Sequence, residues 1–418
     1  MQESSARVAF RSPGFRFFLA VRVLTITASE MQAVAVGWQV YSLTHRPADL
    51  GLVGLAQFLP GVLLFLAAGH AADRMARQRI LQACCAGFAL CSLLLLGLTL
   101  RGLSSIAPIY AVLLLNGTVR AFNGPAGQAF LPLLVAGEHF PTAVAWNSSV
   151  FQAATIAGPV AGGLLYGFTS SPVPVYLCAA IEYVGAMLLL AAIRARSPRR
   201  LPGTASSGNV LDGLRYIWRN RPILGAISLD LFAVLLGGAV ALLPVYAREI
   251  LKAGASGLGV LRSAPGLGAV IVSLVVAHWP LRRHAGAVML WCVCGFGVFT
   301  VVFGLSRNLA LSLVALALTG AFDTVSVIVR HTLIQLSTPD EMRGRVSAVN
   351  VVFIGASNEV GQFESGVTAQ WFGTVPAVVL GGLGAIVVVA IWAWRFPALR
   401  RANELVRPAS PVGGPTAR

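Results

Sequence analysis

Pro198-Arg-Arg-Leu-Pro-Gly-Thr-Ala-Ser-Ser-Gly208, followed after Asn209 by Val210-Leu-Asp-Gly-Leu-Arg-Tyr-Ile-Trp-Arg219, is the longest polar break in an otherwise apolar chain. Its first part has the Pro/Gly/Ser composition of a flexible linker. Its second part alternates apolar and basic residues as an amphipathic turn or two suited to a membrane interface. The break, residues 196–221, lies near the middle of the 418 residues. A transmembrane helix needs roughly 20 mostly apolar residues. Six such segments precede the break, at 15–42, 48–72, 79–100, 106–134, 141–167 and 173–194. Six follow, at 222–250, 256–279, 286–305, 309–336, 344–371 and 374–396. The expected organisation is a six-helix half (1–195), a cytoplasmic linker (196–221) and a second six-helix half with a basic tail (222–418).

Composition supports this all-α, polytopic membrane reading. Hydrophobic residues make up 56% of the chain and charged ones 11%, with a mean hydropathy of +0.77. A soluble domain of this size covers itself with about twice as much charge. The short polar start, 1–12, lacks a small-residue cleavage site after an apolar core, so no cleaved signal peptide is expected. A net charge of +16 would suggest nucleic acid in a soluble protein. Here the basic residues cluster at the start, around 74–79, 194–221, 282–283 and 343–345, and from Arg395 onward. Only Arg46, Arg101, Arg248, Lys252 and Arg307 fall on the other side, and Arg22, Arg120, Arg262 and Arg330 fall within spans. This asymmetry is the positive-inside pattern, with both termini cytoplasmic.

The halves repeat. A shift of roughly 203–205 positions places Gly54, Pro60 and Gly61 on Gly259, Pro265 and Gly266. It also places Gly117, Asn147, Gly158 and Gly163 on Gly320, Asn350, Gly361 and Gly366, and Tyr41 on Tyr246. A parallel repeat of this kind is the arrangement of transporters whose halves rock about a midplane site. Duplicated channels and membrane enzymes are also consistent with it.

Ionisable groups inside spans are expensive and mark candidate sites. Arg22 and Glu30 lie in span 1, Arg120 in span 4, Glu182 in span 6, Asp230 in span 7 and Arg262 in span 8. Asp323 and Arg330 lie in span 10, and Glu359 and Glu364 in span 11. Spans 1, 4, 7 and 10 are equivalent in a three-helix period and should line one cavity. Asn116, Arg120 and Asn123 fall on one face of span 4. Under the repeat Arg120 corresponds to Asp323, and Asp323 and Arg330, seven apart, share a face of span 10. The candidate substrate and proton cavity is therefore Glu30, Asn116, Arg120, Asn123, Asp230, Asp323, Arg330 and Glu359. Its sharp form is a charged network of Arg120, Asp230, Asp323 and Arg330; its plain form is structural ion pairing. Glu182, Arg262 and Glu364 read as structural.

Other chemistries find no support in the residues. The six cysteines lie in apolar runs without paired metal-ligand spacing, so neither metal nor cofactor is expected. Lys252, the only lysine, has no Gly-rich phosphate loop before it, so no ATP site is expected. The Gly257-Leu-Gly259 and Gly381-Gly-Leu-Gly384 runs read as helix-packing glycines. The Asn147-Ser-Ser sequon reads as incidental, and His70, His278 and His331 as interfacial.

Gly69-His-Ala-Ala-Asp73-Arg74-Met-Ala-Arg77-Gln-Arg79, after span 2, resembles the Gly-x3-Asp-Arg-x-Gly-Arg-Arg loop of the major facilitator superfamily. Ala76 and Gln78 depart from it. The resemblance implies a cytoplasmic gate latch built on Gly69, Asp73, Arg74 and Arg77, with Gly69 allowing close helix contact. Its second-half counterpart, Arg282-Arg283-His284, is degenerate. Gly158-Pro159-Val-Ala-Gly162-Gly163 resembles the antiporter signature of the same superfamily. The segments beginning at Arg120, Phe130, Asp230, Thr338 and Gly355 are similar to the enterobactin-exporter branch, which lies close to macrolide and other drug efflux pumps.

The resemblance implies a proton-coupled exporter of a small organic solute, acting as a monomer in a bacterial inner membrane. A catecholate siderophore is the leading cargo and a drug the alternative. An importer of the same fold, or a non-transporting sensor or scaffold, would be the other classes; the latter would call for a soluble domain or a long partner-binding tail.

Overall fold

The computed structural model describes residues 12–102, 105–193, 210–279 and 284–400. Within these residues the chain is helical and forms twelve spans in two six-helix bundles. Span 1 is Pro13–Thr44, span 2 is Pro47–Leu63 with Phe65–Arg74, and span 3 is Arg77–Leu100. Span 4 is Ala107–Phe130, span 5 Phe140–Thr169 and span 6 Val173–Ala192. The amphipathic helix Val210–Arg219 leads into span 7, which begins as Arg221–Leu236. Span 8 is Gly254–His278, span 9 Ala285–Leu305, span 10 Leu309–Ser337, span 11 Asp340–Phe372 and span 12 Thr374–Arg395. The linker before Val210, the loop 280–283 and the tail after Arg400 lie outside the described residues.

Proline sits in the first turn of spans 1, 2, 4, 5, 6 and 7, where its missing N–H is no loss. Asn308 caps span 10, its Oδ1 accepting from the amides of Ala310 at 2.9 Å and Leu311 at 3.2 Å. Among the described residues, nine helices are long and apolar enough to cross a membrane by length and composition. Spans 2, 4 and 11 are not among them. Pro60 and the break at Leu64 divide span 2, while spans 4 and 11 carry the polar side chains described below.

Span 7 is expected as one helix over 222–250, and the structure breaks it. After Leu236 come Gly237 and Gly238, a 3-10 turn Ala239–Leu242, a helical turn Leu243–Val245 and a π-turn Tyr246–Ile250. The ladder fails because the amide of Ala239 turns back to Gly237 O at 2.7 Å. Irregular backbone at membrane depth survives only when buried in protein or lining a polar cavity. Both conditions hold here. Gly361 and Gly381 lie so close that added Cβ atoms would sit 2.9 Å from the Val234 and Leu235 carbonyl oxygens and 2.2 Å from that of Leu236. The other side of the break faces the central cavity.

The sequence repeat is also a spatial one. Gly117 of span 4 packs on the Gln57 carbonyl of span 2, and its counterpart Gly320 of span 10 packs on the Pro265 carbonyl of span 8. Gly163 of span 5 meets Ala255 and Gly259 of span 8, and Gly366 of span 11 meets Pro47 and Gly51 of span 2. The last two contacts join the halves. They lie toward the face where span 1 ends, the far face.

One apolar core contains residues of both halves, among them Val36, Val40, Tyr41, Leu242, Tyr246, Leu258 and Leu316. It sits toward the far face. The core around Phe15, Phe88, Phe130 and Leu190 belongs to the first half alone. The cores around Leu229, Met289 and Leu333, and around Ile227, Ile334 and Val346, belong to the second. The halves are thus welded at the far face, and the space between them opens toward the linker face, where span 1 begins.

Candidate functional site

That space is a cavity of about 610 Å³. Spans 1, 4, 7 and 10 all contribute to its wall, as do spans 2, 8 and 11, with further side chains from spans 3, 5, 6 and 9. Of the residues singled out in the sequence, Glu30, Asn116, Arg120, Asn123, Asp323 and Glu359 line it. Gln57, Arg262, Asn358 and Gln362 join them.

Two ion pairs cross the cavity from one half to the other. Arg120 Nη1 on span 4 lies 3.7 Å from Glu359 Oε1 on span 11, and Arg262 Nε on span 8 lies 3.6 Å from Glu30 Oε2 on span 1. Glycines make room for both acids. An added Cβ on Gly54 would stand 3.0 Å from Glu359 Oε2, and one on Gly158 would stand 2.7 Å from Glu30 Cβ. Gln362 Nε2 donates to Glu359 Oε2 at 3.2 Å. Arg22 also reaches the cavity, its Nε donating to Asn147 Oδ1 at 3.2 Å. The sequon asparagine is therefore a partner of an intramembrane arginine. Asp323 lines the wall and makes no ion pair among the described residues.

The four-member charged network does not assemble in one place. Asp230 and Arg330 pair directly with each other, 5% and 1% exposed, and neither lines the cavity. Seven residues along a helix preserve the face but advance it about 10 Å along the axis. That step carries span 10 from the open wall at Asp323 to the closed seam at Arg330. Nearby, Ile227, Ile334, Val346 and Val349 bring spans 7, 10 and 11 together. Arg262, expected as structural, pairs with Glu30 and also lines the cavity. Glu364 accepts from Thr368 Oγ1 at 2.8 Å, and Glu182 keeps a buried Oε2 with no hydrogen-bond partner among the described residues, away from the cavity.

At the expected gate loop, Arg77 Nη1 donates to Ala129 O at 2.8 Å, tying spans 3 and 4. Arg74 is exposed. The close helix contact expected at Gly69 is not seen among the described residues, none of which lies within 4 Å of a Cβ added there. The side chain of Asp73 and the second-half counterpart Arg282-Arg283 lie outside what is described.

In the expected antiporter segment, Gly158 and Gly162 pack on span 1 at Thr27–Met31 and Gly163 packs on span 8. Pro159 interrupts the helix ladder beside them. Span 5 is thereby the strip through which span 1 of one half bears on span 8 of the other.

The far face closes through side chains that sequence reasoning passed over. The π-turn of span 7 directs Arg248 and Glu249 at the end of span 1. Arg248 Nη1 donates to Ser42 Oγ at 2.5 Å and its guanidinium lies 5.8 Å from the Trp38 ring centroid. Tyr41 donates its hydroxyl to Glu249. The Tyr41–Tyr246 correspondence in the repeat was the one available signal.

Known proteins resemble the chain in both sequence and fold. The family described as transmembrane secretion effectors, part of the major facilitator superfamily, matches residues 4–412. Among curated proteins, an enterobactin exporter of Shigella boydii serotype 4 is 28% identical over 380 residues, covering 90% of this chain and 86% of that protein. Enterobactin exporters of Escherichia coli strains are 27% identical over the same share. Among solved structures, a bacterial homologue of the human lysosomal transporter Spinster, inward-facing and occupied, superposes with a TM-score of 0.74. It is 12% identical, over 94% of this chain and 98% of that one. A bacterial homologue of the iron transporter ferroportin, inward-facing, superposes with a TM-score of 0.67 at 16% identity, over 91% and 98%. These superpositions show that the fold is shared. The chain belongs to the transmembrane secretion effector family of the major facilitator superfamily: it is a multi-pass membrane transporter of small molecules and not an enzyme.

Proposed function

We propose that the protein exports a small organic solute from the cytoplasm in exchange for protons, with a catecholate siderophore as the leading cargo. The observation that carries the reading is the cavity itself, open toward the linker face and crossed by two ion pairs that join the halves. Charge distribution supports a cytoplasmic linker face, because basic residues gather there. The cavity would then face inward. Similarity to enterobactin exporters supports the direction and the cargo, and the Gly158–Gly163 segment supports exchange.

In the proposed cycle the solute enters from the cytoplasm and contacts Arg120, Arg262, Asn116 and Asn123. The halves then rock about the glycine contacts of spans 2, 5, 8 and 11, and the far face opens to the periplasm. A proton taken up there by Asp323, Glu30 or Glu359 neutralises a carboxylate, changes the ion pairing across the cavity and favours return. One chain supplies both walls, so a monomer suffices. Transport would draw on the proton gradient without ATP.

The test is solute accumulation in inside-out vesicles that carry the protein, energised by an imposed proton gradient. Enterobactin-type catecholates should accumulate, collapse of the gradient should abolish accumulation, and Asp323→Asn should uncouple it. No accumulation with any gradient, together with uptake in right-side-out vesicles, would reverse the direction. A second reading, hydrophobic drug efflux, draws on Phe88, Phe151, Phe296 and Phe303 in the same wall; competition between a macrolide and a catecholate separates the two.

A further inference from the structure

Of the two cross-cavity ion pairs, one presents its cation far more openly than its acid, and the other exposes both partners about equally. The Arg120 side chain is 62% exposed and that of its partner Glu359 is 15% exposed; the corresponding figures for Arg262 and Glu30 are 29% and 26%. Both pairs are long. A well-made guanidinium–carboxylate bond has N···O of about 2.7–2.9 Å and is often bidentate, whereas these stand at 3.7 and 3.6 Å through single nitrogens. Glu359 has a second donor in Gln362, so it keeps a partner if Arg120 is taken from it. The guanidinium forks are thus underused, face open space, and come from opposite halves.

We infer that the solute is recognised as an aryl oxyanion, a carboxylate or catecholate on an aromatic body, that replaces Glu359 on Arg120 and Glu30 on Arg262. The inference rests on the reading of this cavity as the solute site and names the chemistry that site selects. The planar fork of arginine matches two adjacent oxygens. Phe151 and Phe296 in the same wall offer apolar surface for the ring. Exchange of partners also couples binding to movement. While the internal pairs stand, each ties one half to the other; once an external anion occupies the arginines, Glu30 and Glu359 are freed for other partners, protons included. A neutral solute would gain less from the exposed guanidinium groups than an anion does, and a cationic one would be repelled by them, so neither competes well with Glu359 and Glu30.

The experiment is equilibrium binding to the full-length protein in lipid nanodiscs, with three probes of similar shape: salicylate, its neutral amide salicylamide, and benzylammonium. The readout is the ratio of salicylate to salicylamide affinity, in which any general shift in conformation or folding cancels. Glu359→Gln removes the competing internal anion and should raise that ratio by about fivefold, the scale of a partly exposed ion pair. Arg120→Gln should lower it by at least the same factor, and Arg120→Lys should restore part of it. A ratio that is unchanged or lowered by Glu359→Gln overturns the inference, as does preferential binding of benzylammonium that Glu359→Gln weakens. Misfolding cannot mimic the expected rise, since a damaged site binds no ligand more selectively. The inside-out vesicle assay, run in parallel, separates the two claims. Catecholate export with an unmoved ratio leaves the exporter reading standing and removes this one. A moved ratio without export does the reverse.

Discussion

Opening the far face requires breaking the contacts between spans 1 and 7, and their strength is calculable. The Tyr41–Glu249 hydrogen bond is charge-assisted, but Glu249 is exposed, so it contributes about 1 kcal/mol. The Arg248–Ser42 bond adds about 1 kcal/mol. The guanidinium over Trp38, at a partly exposed position, adds about 0.5–1 kcal/mol. A Tyr41→Phe/Arg248→Ala double variant therefore loses about 2.5–3 kcal/mol from the far-face-closed state, or about 100-fold in the equilibrium between faces. If the closed form holds about 99% of the wild-type molecules, the variant divides near evenly.

Spin labels at Leu100→Cys and Leu305→Cys, at the exposed far-face ends of spans 3 and 9, report the separation of the halves in a cysteine-free background. The expected result is a second, longer distance that is populated in the variant and scarce in the parent. Arg101→Ala, an exposed charge on the same face, serves as control and should leave the distribution alone. An unchanged distance distribution in the double variant would show that the apolar core at this face, and not the polar latch, holds it closed.

Two further outcomes follow from buried geometry. Asp230→Asn strands the buried Arg330 cation and should cost about 3–5 kcal/mol in unfolding measurements, while Asp230→Leu/Arg330→Met should recover most of it and still transport. A stable double variant without transport would return the pair to the mechanism. Gly163→Leu places a Cβ 2.7 Å from backbone atoms of Ala255 and Gly259, which cannot retreat as a flexible side chain would. The far face should then fail to close, with loss of 1–3 kcal/mol or more; the same spin-label pair in that variant should show mainly the longer distance, and wild-type distances would refute the steric argument.

Sequence by itself determined the number of spans and the repeat. Each rests on local or additive physics: a bilayer demands about 20 apolar residues per crossing, and a duplicated chain keeps its glycines where helices touch. Gly117 and Gly320, or Gly163 and Gly366, were legible as partners because close packing tolerates no Cβ at either. The charged cavity was legible as a set of expensive residues, since any ionisable group in lipid needs a reason.

Pairing was not legible, because it depends on where each helix stops being wall and becomes seam. Asp323 and Arg330 share a helical face, yet two turns of rise put one in the cavity and the other in a closed contact with Asp230. Arg262 looked structural from its position in span 8 and proved to face Glu30 across the halves. The break at Gly237–Gly238 and the π-turn after it were likewise invisible, because an apolar run with two glycines reads as one helix. Only the packed structure supplies Gly361 and Gly381 to cover the freed carbonyls, and only then does a broken span become the stable choice.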